Sequence, residues 1–102
     1  MSQTKPCESV TIELGETVLT IGVSHLKDQG QITSNQLQMM FEAQRNCNWG
    51  NACPEEDRQA NDAAAKNGDE RCFGVHLIND IKLWIITEAD RSVTTILLPS
   101  EY

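Results

Sequence analysis

The chain predicts an α+β domain, an antiparallel sheet packed by two or three helices, and three observations carry that expectation. Short β-branched and aromatic runs recur near the C-terminus, separated by turn residues, as in Phe73–Leu77, Leu83–Thr87 and Val93–Leu98. Such runs form a three-strand meander. Upstream, Leu37, Met40, Phe41 and Gln44 recur at helical spacing, and three of these four are apolar. Before them, Val10, Ile12 and Leu14 alternate with Thr11 and Glu13 in the period of a half-buried strand.

With 102 residues the chain is long enough for one domain with one modest core. Residues 1–8 are polar, contain Pro6 and read as a loose arm. Residues 9–102 then form a single α+β domain. The segment Val10–Leu19 fits either one strand kinked at Gly15-Glu16 or a hairpin. Thr20 is placed to cap a short helix over Gly22–Gln29, which Gly30 stops. Thr33 and Gln36 stand at the spacing of a capping box, with Ile32 and Leu37 as a hydrophobic staple, so a second helix runs over Ser34–Arg45. The stretch Asn46–Cys53 is rich in turn formers around Trp49, a large apolar anchor. Pro54 suits the first turn of a third helix, Pro54–Lys66, and Glu55, Glu56 and Asp57 suit its positive end. Asn67-Gly68 stops it, and its apolar side is mostly alanine. Strands are expected at Arg71–Leu77, Lys82–Thr87 and Val93–Leu98, with tight connections at Asn79-Asp80 and Asp90-Arg91-Ser92. Leu83–Thr87 is apolar on both faces, as in a central strand covered on two sides. The expected core is Leu37, Phe41, Phe73, Leu83, Ile85 and Ile96.

Fifteen Asp plus Glu against eight Lys plus Arg give a net charge of −7. That balance opposes direct binding to a nucleic-acid backbone, which needs clustered cations. No run approaches the ~20 apolar residues of a membrane-spanning helix, and MSQTKPCESV has no apolar core of a secretory signal, so a cytoplasmic location is expected. Cys7, Cys47, Cys53 and Cys72 include no paired-cysteine motif, and the histidines are His25 and His76. These spacings match no zinc pattern, so the thiols are expected to be structural or surface groups, with no metal. No glycine-rich phosphate loop or nucleophile elbow is present, and no cofactor is expected.

Several strings resemble a family of small "plasmid-related" proteins of plasmids, integrative elements and phages. They are LGETVLT at Leu14–Thr20 with Gly22 after it, Trp49-Gly50, Glu55-Glu56-Asp57, Asn61, Gly68, and above all LWIITEADRSVTTILLPSEY at Leu83–Tyr102. The resemblance spans Leu14 to the end and departs in the cysteine-bearing loop and around Phe73–His76. It implies a gene carried by mobile DNA and supplies no catalytic residues.

Two functional expectations follow. The first is a protein acting by protein–protein interaction. Glu55, Glu56, Asp57, Asp62, Asp69 and Glu70 lie on or just after one helix and, with Arg91, form the expected contact surface. A host protein with a basic surface is the expected partner, and inhibition of host defence (anti-CRISPR or anti-restriction, by nucleic-acid mimicry) is one form of that role. The alternative is a metal-free ribonuclease resembling barnase and bacterial toxins. There His76 or Glu88 would be the base and Arg91 the phosphate partner, with Thr94, Thr95 and Tyr102 supplying hydroxyls. Each of these residues also has an ordinary structural use: Asp90 and Ser92 bond nearby amides in a turn, and threonines suit strands. The low cation count weighs against an enzyme.

Overall fold

The computed structural model describes residues 11–68 and 70–102. Strand β1, Glu16–Leu19, is followed by helices α1, Ile21–Asp28, α2, Ser34–Arg45, and α3, Glu55–Asn67. Strands β2, Cys72–Ile78, β3, Ile81–Thr87, and β4, Val93–Leu97, follow, and a 3-10 turn at Pro99–Glu101 ends the chain. The strand order is β1-β4-β3-β2.

The α+β class and the C-terminal meander stand, but the sheet is mixed rather than purely antiparallel. β1 pairs parallel to β4, with Glu16 opposite Val93 and Leu19 opposite Ile96. A parallel neighbour requires a long crossover, and here the three helices and the β2–β3 hairpin supply it. The expected alternation at the N-terminal end persists as burial, with Ile12 and Leu14 inside and Thr11 and Glu13 outside, yet 11–15 is not a strand. Gly15, at φ +65°, turns the chain into β1, and a Cβ there would sit 2.3 Å from the carbonyl oxygen of Ser92. Val10, Cys7 and the arm expected over 1–8 lie outside the described residues.

α2 begins as its capping box requires. Gln36 N–H donates to Thr33 Oγ1 at 3.1 Å, and Thr33 N–H donates to Gln36 Oε1 at 3.0 Å. Its end is a Schellman turn, in which Asn48 N–H reaches Ala43 O and Cys47 N–H reaches Gln44 O. Cys47, rather than glycine, takes the left-handed position at φ 61°. Thr20 stands just before α1, but its hydroxyl does not cap the helix. Thr20 Oγ1 donates to Glu101 Oε1, and Glu101 Oε2 accepts from Gly22 N–H at 2.9 Å, so the cap comes from the chain's last turn. Pro54 is the residue before α3 rather than its first member.

α1 and α2 cover one sheet face. Val23, Leu37 and Met40 pack there against Leu83, Ile85 and Ile96. Phe41 and Phe73, expected to be buried, are half-buried, and Phe41 packs against both hydrophobic clusters. A polar chain crosses the buried face. Gln44 Nε2 donates to Thr87 Oγ1 at 3.1 Å, Thr87 Oγ1 lies 2.9 Å from Thr94 Oγ1, and Thr94 Oγ1 donates to Leu14 O at 2.8 Å. The last bond sets the direction of the others, so Thr87 donates to Thr94. This chain ties α2, β3, β4 and the 11–15 segment together, and all three side chains are buried.

The outer edge of β2 is closed by side chains and a loop. The Asn61 amide pairs with both backbone groups of Phe73, at 2.9 and 2.6 Å. Trp49 O and Ala52 N–H pair with those of Val75, at 2.8 and 3.2 Å. The Asn51 amide pairs with those of Leu77, at 2.8 and 3.3 Å. An unpaired edge invites strand addition by another chain, and these groups occupy that template.

Candidate functional site

Two regions carry the groups a partner or ligand would meet. The first is the sheet face opposite α1 and α2. Register places Phe73, Ile86, Thr95 and Val18 in one row across it, and Val75, Trp84 and Leu97 in the next. Phe73, Trp84 and Tyr102 form an aromatic cluster there. Ring centroids are 4.9 Å apart for Phe73–Trp84 and 5.4 Å for Trp84–Tyr102, both tilted toward edge-to-face contact. Ile86 and Leu97 are buried, while Tyr102 is 63% exposed. The Arg71 guanidinium lies 5.7 Å from the Tyr102 ring centroid and donates to its hydroxyl. The central strand is thus covered by helices on one side and by its own aromatics on the other. Trp84 and Phe73 remain partly exposed.

This face adjoins the acidic helix. Asp57, Glu70, Arg71 and Phe73 line one depression of about 370 Å³. Glu55, Glu56, Asp57 and Glu70 are exposed, and Asp69 lies outside the described residues. Asp62 is exposed too, but it accepts the indole N–H of buried Trp49 at 2.8 Å and so anchors the 46–53 loop. Arg58, the cation next to the acidic triplet, turns away from it. Its Nε donates to Cys53 O at 2.9 Å and its Nη2 to Gly50 O at 2.8 Å.

Arg91, expected at the contact surface or on a phosphate, is committed to the framework. Nη1 donates to Glu70 O, Glu88 O and Ala89 O, and Nη2 to Ala64 O at 3.0 Å. It therefore joins the β3–β4 connection to the C-terminal turn of α3, where a cation is favoured. Asp90 Oδ1 accepts from both the amide and the hydroxyl of Ser92, the turn use expected of that pair. These two bonds, the hydroxyl's first, hold the Asp90 carboxyl below its ordinary range.

The ribonuclease set does not converge. His76 lies opposite Leu83, five positions before Glu88 and so roughly 16 Å from it along the strand. His76 is on the helix-covered face, whereas Tyr102 packs on Trp84 across the sheet. Thr94 is buried in the polar chain and Thr95 faces the other way. The signal for the aromatic cluster was split among positions 73, 84 and 102, which only the register unites.

The second region is a cleft of about 560 Å³ between α2, the 48–51 loop and the end of β2. Met39, Met40, Arg58, His76 and Leu77 line it. His76 Nε2 is buried without a partner among the described residues, and burial pulls the imidazole's pKa below its ordinary value. Gly50, at φ +103°, closes the loop onto β2, and a Cβ there would stand 2.0 Å from Val75 O.

Among the described residues no group of three His, Cys, Asp or Glu could hold a metal ion, and no helix is long and apolar enough to cross a membrane. Cys47, Cys53 and Cys72 are free thiols. Burial, first among the causes, pushes Cys47 up to about 11 and also raises Cys53 and Cys72. Comparison of the chain with family models, with curated proteins and with solved structures yields no match.

Proposed function

We propose that the protein is an interaction module that engages a basic surface of a partner protein. The observation that carries this reading is the junction of the aromatic face with the acidic flank of α3. Trp, Tyr and Arg are enriched among binding hot spots, and Trp and Tyr bury much area at low entropy cost. Phe73, Trp84, Tyr102 and Arg71 supply that centre. Glu55, Glu56, Asp57 and Glu70 supply an acidic rim, and neither Arg58 nor Arg91 pairs with it, since the hydrogen bonds these two make go to backbone carbonyls. A rim of this kind speeds encounter with a basic surface and discriminates against acidic ones.

The resemblance to plasmid-related proteins is the ground for setting this module among accessory proteins of mobile DNA, acting in the host cytoplasm. Its finer form is inhibition of a host defence enzyme, with the carboxylates occupying a channel built for phosphates. The residues behind the resemblance mostly serve the framework: Gly15 and Gly22 at close approaches, Trp49 and Asn61 at the β2 edge, Arg91 and Glu101 as ties.

The test is capture of host proteins from nuclease-treated lysate by the wild type, by Tyr102→Ala and by the triple reversal of Glu55, Glu56 and Asp57 to Lys. Expression of the protein in cells challenged by restriction or CRISPR interference tests the finer form. A partner retained by the wild type and lost by both variants is expected, with both still folding cooperatively and the triple reversal melting somewhat lower because it sets cations at the positive end of α3. Capture that needs nucleic acid, or survives both changes, overturns the reading.

A further inference from the structure

We propose that the cleft between α2, the 48–51 loop and the end of β2 binds a carboxylate carried on an apolar body. The chain has nearly twice as many acidic as basic residues, fifteen against eight. Yet, among the described residues, the cleft is lined by Arg58 and His76 and by no Asp or Glu. Among the described residues its wall thus carries a guanidinium with no carboxylate in the lining, on a chain of net charge −7.

Arg58 is pre-set for this use. Two of its nitrogens are held by Gly50 O and Cys53 O, which fixes the guanidinium plane. Nη1 makes no hydrogen bond among the described residues and retains two donors. Asn48 Oδ1 accepts from Gly50 N–H at 3.2 Å, which leaves its Nδ2 as a further donor on the same wall. A carboxylate is the acceptor that such paired donors match. His76 lines the cleft too, and its buried Nε2 has no hydrogen-bond partner among the described residues.

The opposite wall is apolar and partly open. Met39 is 68% exposed and Leu77 45% exposed, and both line the cleft beside Met40. Methionines adapt to varied apolar shapes. The volume, about 560 Å³, lies within the range of small-molecule sites, roughly 300–1,000 Å³. Gly50 and the paired Asn51 amide fix the loop against β2, so the cleft is formed before a ligand arrives. The carboxylate belongs either to a free acid or to the C-terminus of a peptide ending in an apolar residue.

The experiment is an amide-detected NMR titration of the full chain with hexanoate, with neutral hexanamide, and with a leucine-ended peptide in free and amidated forms. Saturable shifts at Gly50, Asn51 and Leu77 are expected, with hexanamide at least about tenfold weaker, the loss of one charge-assisted contact. Arg58→Gln should weaken hexanoate by a similar factor. Because Arg58 also braces the loop, Met39→Glu serves as the second variant. It leaves every loop hydrogen bond in place and sets a carboxylate at the rim, and it should weaken hexanoate at least about tenfold. Preference for the free-ended over the amidated peptide and over hexanoate assigns the ligand to a protein C-terminus. Hexanoate binding without gain from the peptide assigns it to a free acid. Equal binding of hexanoate and hexanamide, shifts outside the cleft, or none up to about 20 mM would overturn the proposal.

Discussion

Gly22 and Glu101 share a hydrogen bond of 2.9 Å, from the amide near the start of α1 to a carboxylate at the end of the chain. The same carboxylate accepts from the Thr20 hydroxyl and from Leu98 N–H. Glu101 therefore does for α1 what an N-cap side chain does locally, and its negative charge suits the helix's positive end. Glu101→Ala should lower stability by about 1 kcal/mol in urea melts.

The pH dependence of that tie has a definite sign. Hydrogen bonds, the Thr20 hydroxyl's first, hold the Glu101 carboxyl below its ordinary 4.5. A depressed carboxyl contributes stability that is present above the unfolded value and lost as pH falls through the folded one. Melts of Glu101→Gln should show a shallower loss below pH 4.5 than the wild type, and parallel curves would refute the tie.

His76 produces a second, separate slope. Burial lowers its pKa from 6.5, so the unfolded chain takes up a proton more readily than the folded one. Stability should be steady above pH 6.5 and decline as pH falls below it toward the lowered folded value. His76→Leu should remove that decline while leaving the steeper carboxylate-dependent one at lower pH. Urea midpoints measured at intervals from pH 7.5 downward, at about half-unit steps, resolve the two.

Arg91→Ala should destabilise the fold by about 1–3 kcal/mol, because it removes donors from Ala64 O and Glu70 O. Lysine should not restore the loss, since an ammonium cannot span carbonyls from α3 and the β3–β4 connection as a planar fork does. A variant that melts like the wild type but fails to bind a partner would move Arg91 from the framework to the contact surface.

Asn79 and Asp80, at φ 52° and 66°, form the two-residue turn between β2 and β3. Both central positions are left-handed, the type I′ geometry in which glycine is favoured second. Asp80→Gly should stabilise by up to about 1 kcal/mol and Asp80→Val should destabilise, as thermal melts would register.

Local chemistry was the legible part of this sequence. Thr33 and Gln36 are three residues apart, Asn79-Asp80 joins adjacent strands, and the meander's periods repeat within a few positions, so propensity and spacing suffice to place them. What escaped joins distant residues. Nothing local marks β4 as the parallel neighbour of β1, Glu101 as the cap of α1, or Arg91 as the brace of α3. The acidic residues of the candidate site were visible because three of them, Glu55, Glu56 and Asp57, are consecutive and Glu70 closely follows the same helix. The aromatic face and the cleft were not, because each is assembled from separate segments by strand register and loop closure.

The asparagines on the β2 edge make this fold sensitive to chemical ageing. Asn61 meets Phe73 with one donor and one acceptor, and the residue is almost fully buried. Hydrolysis of its amide would add a single oxygen-for-nitrogen exchange and set a carboxylate oxygen against the Phe73 carbonyl, where two acceptors repel. At Asn51 the same change would confront Leu77 O at an exposed position, with water to soften it. A preparation left to age should therefore lose the strand edge first at Asn51, where the amide is open to attack, and lose the fold only when Asn61 follows.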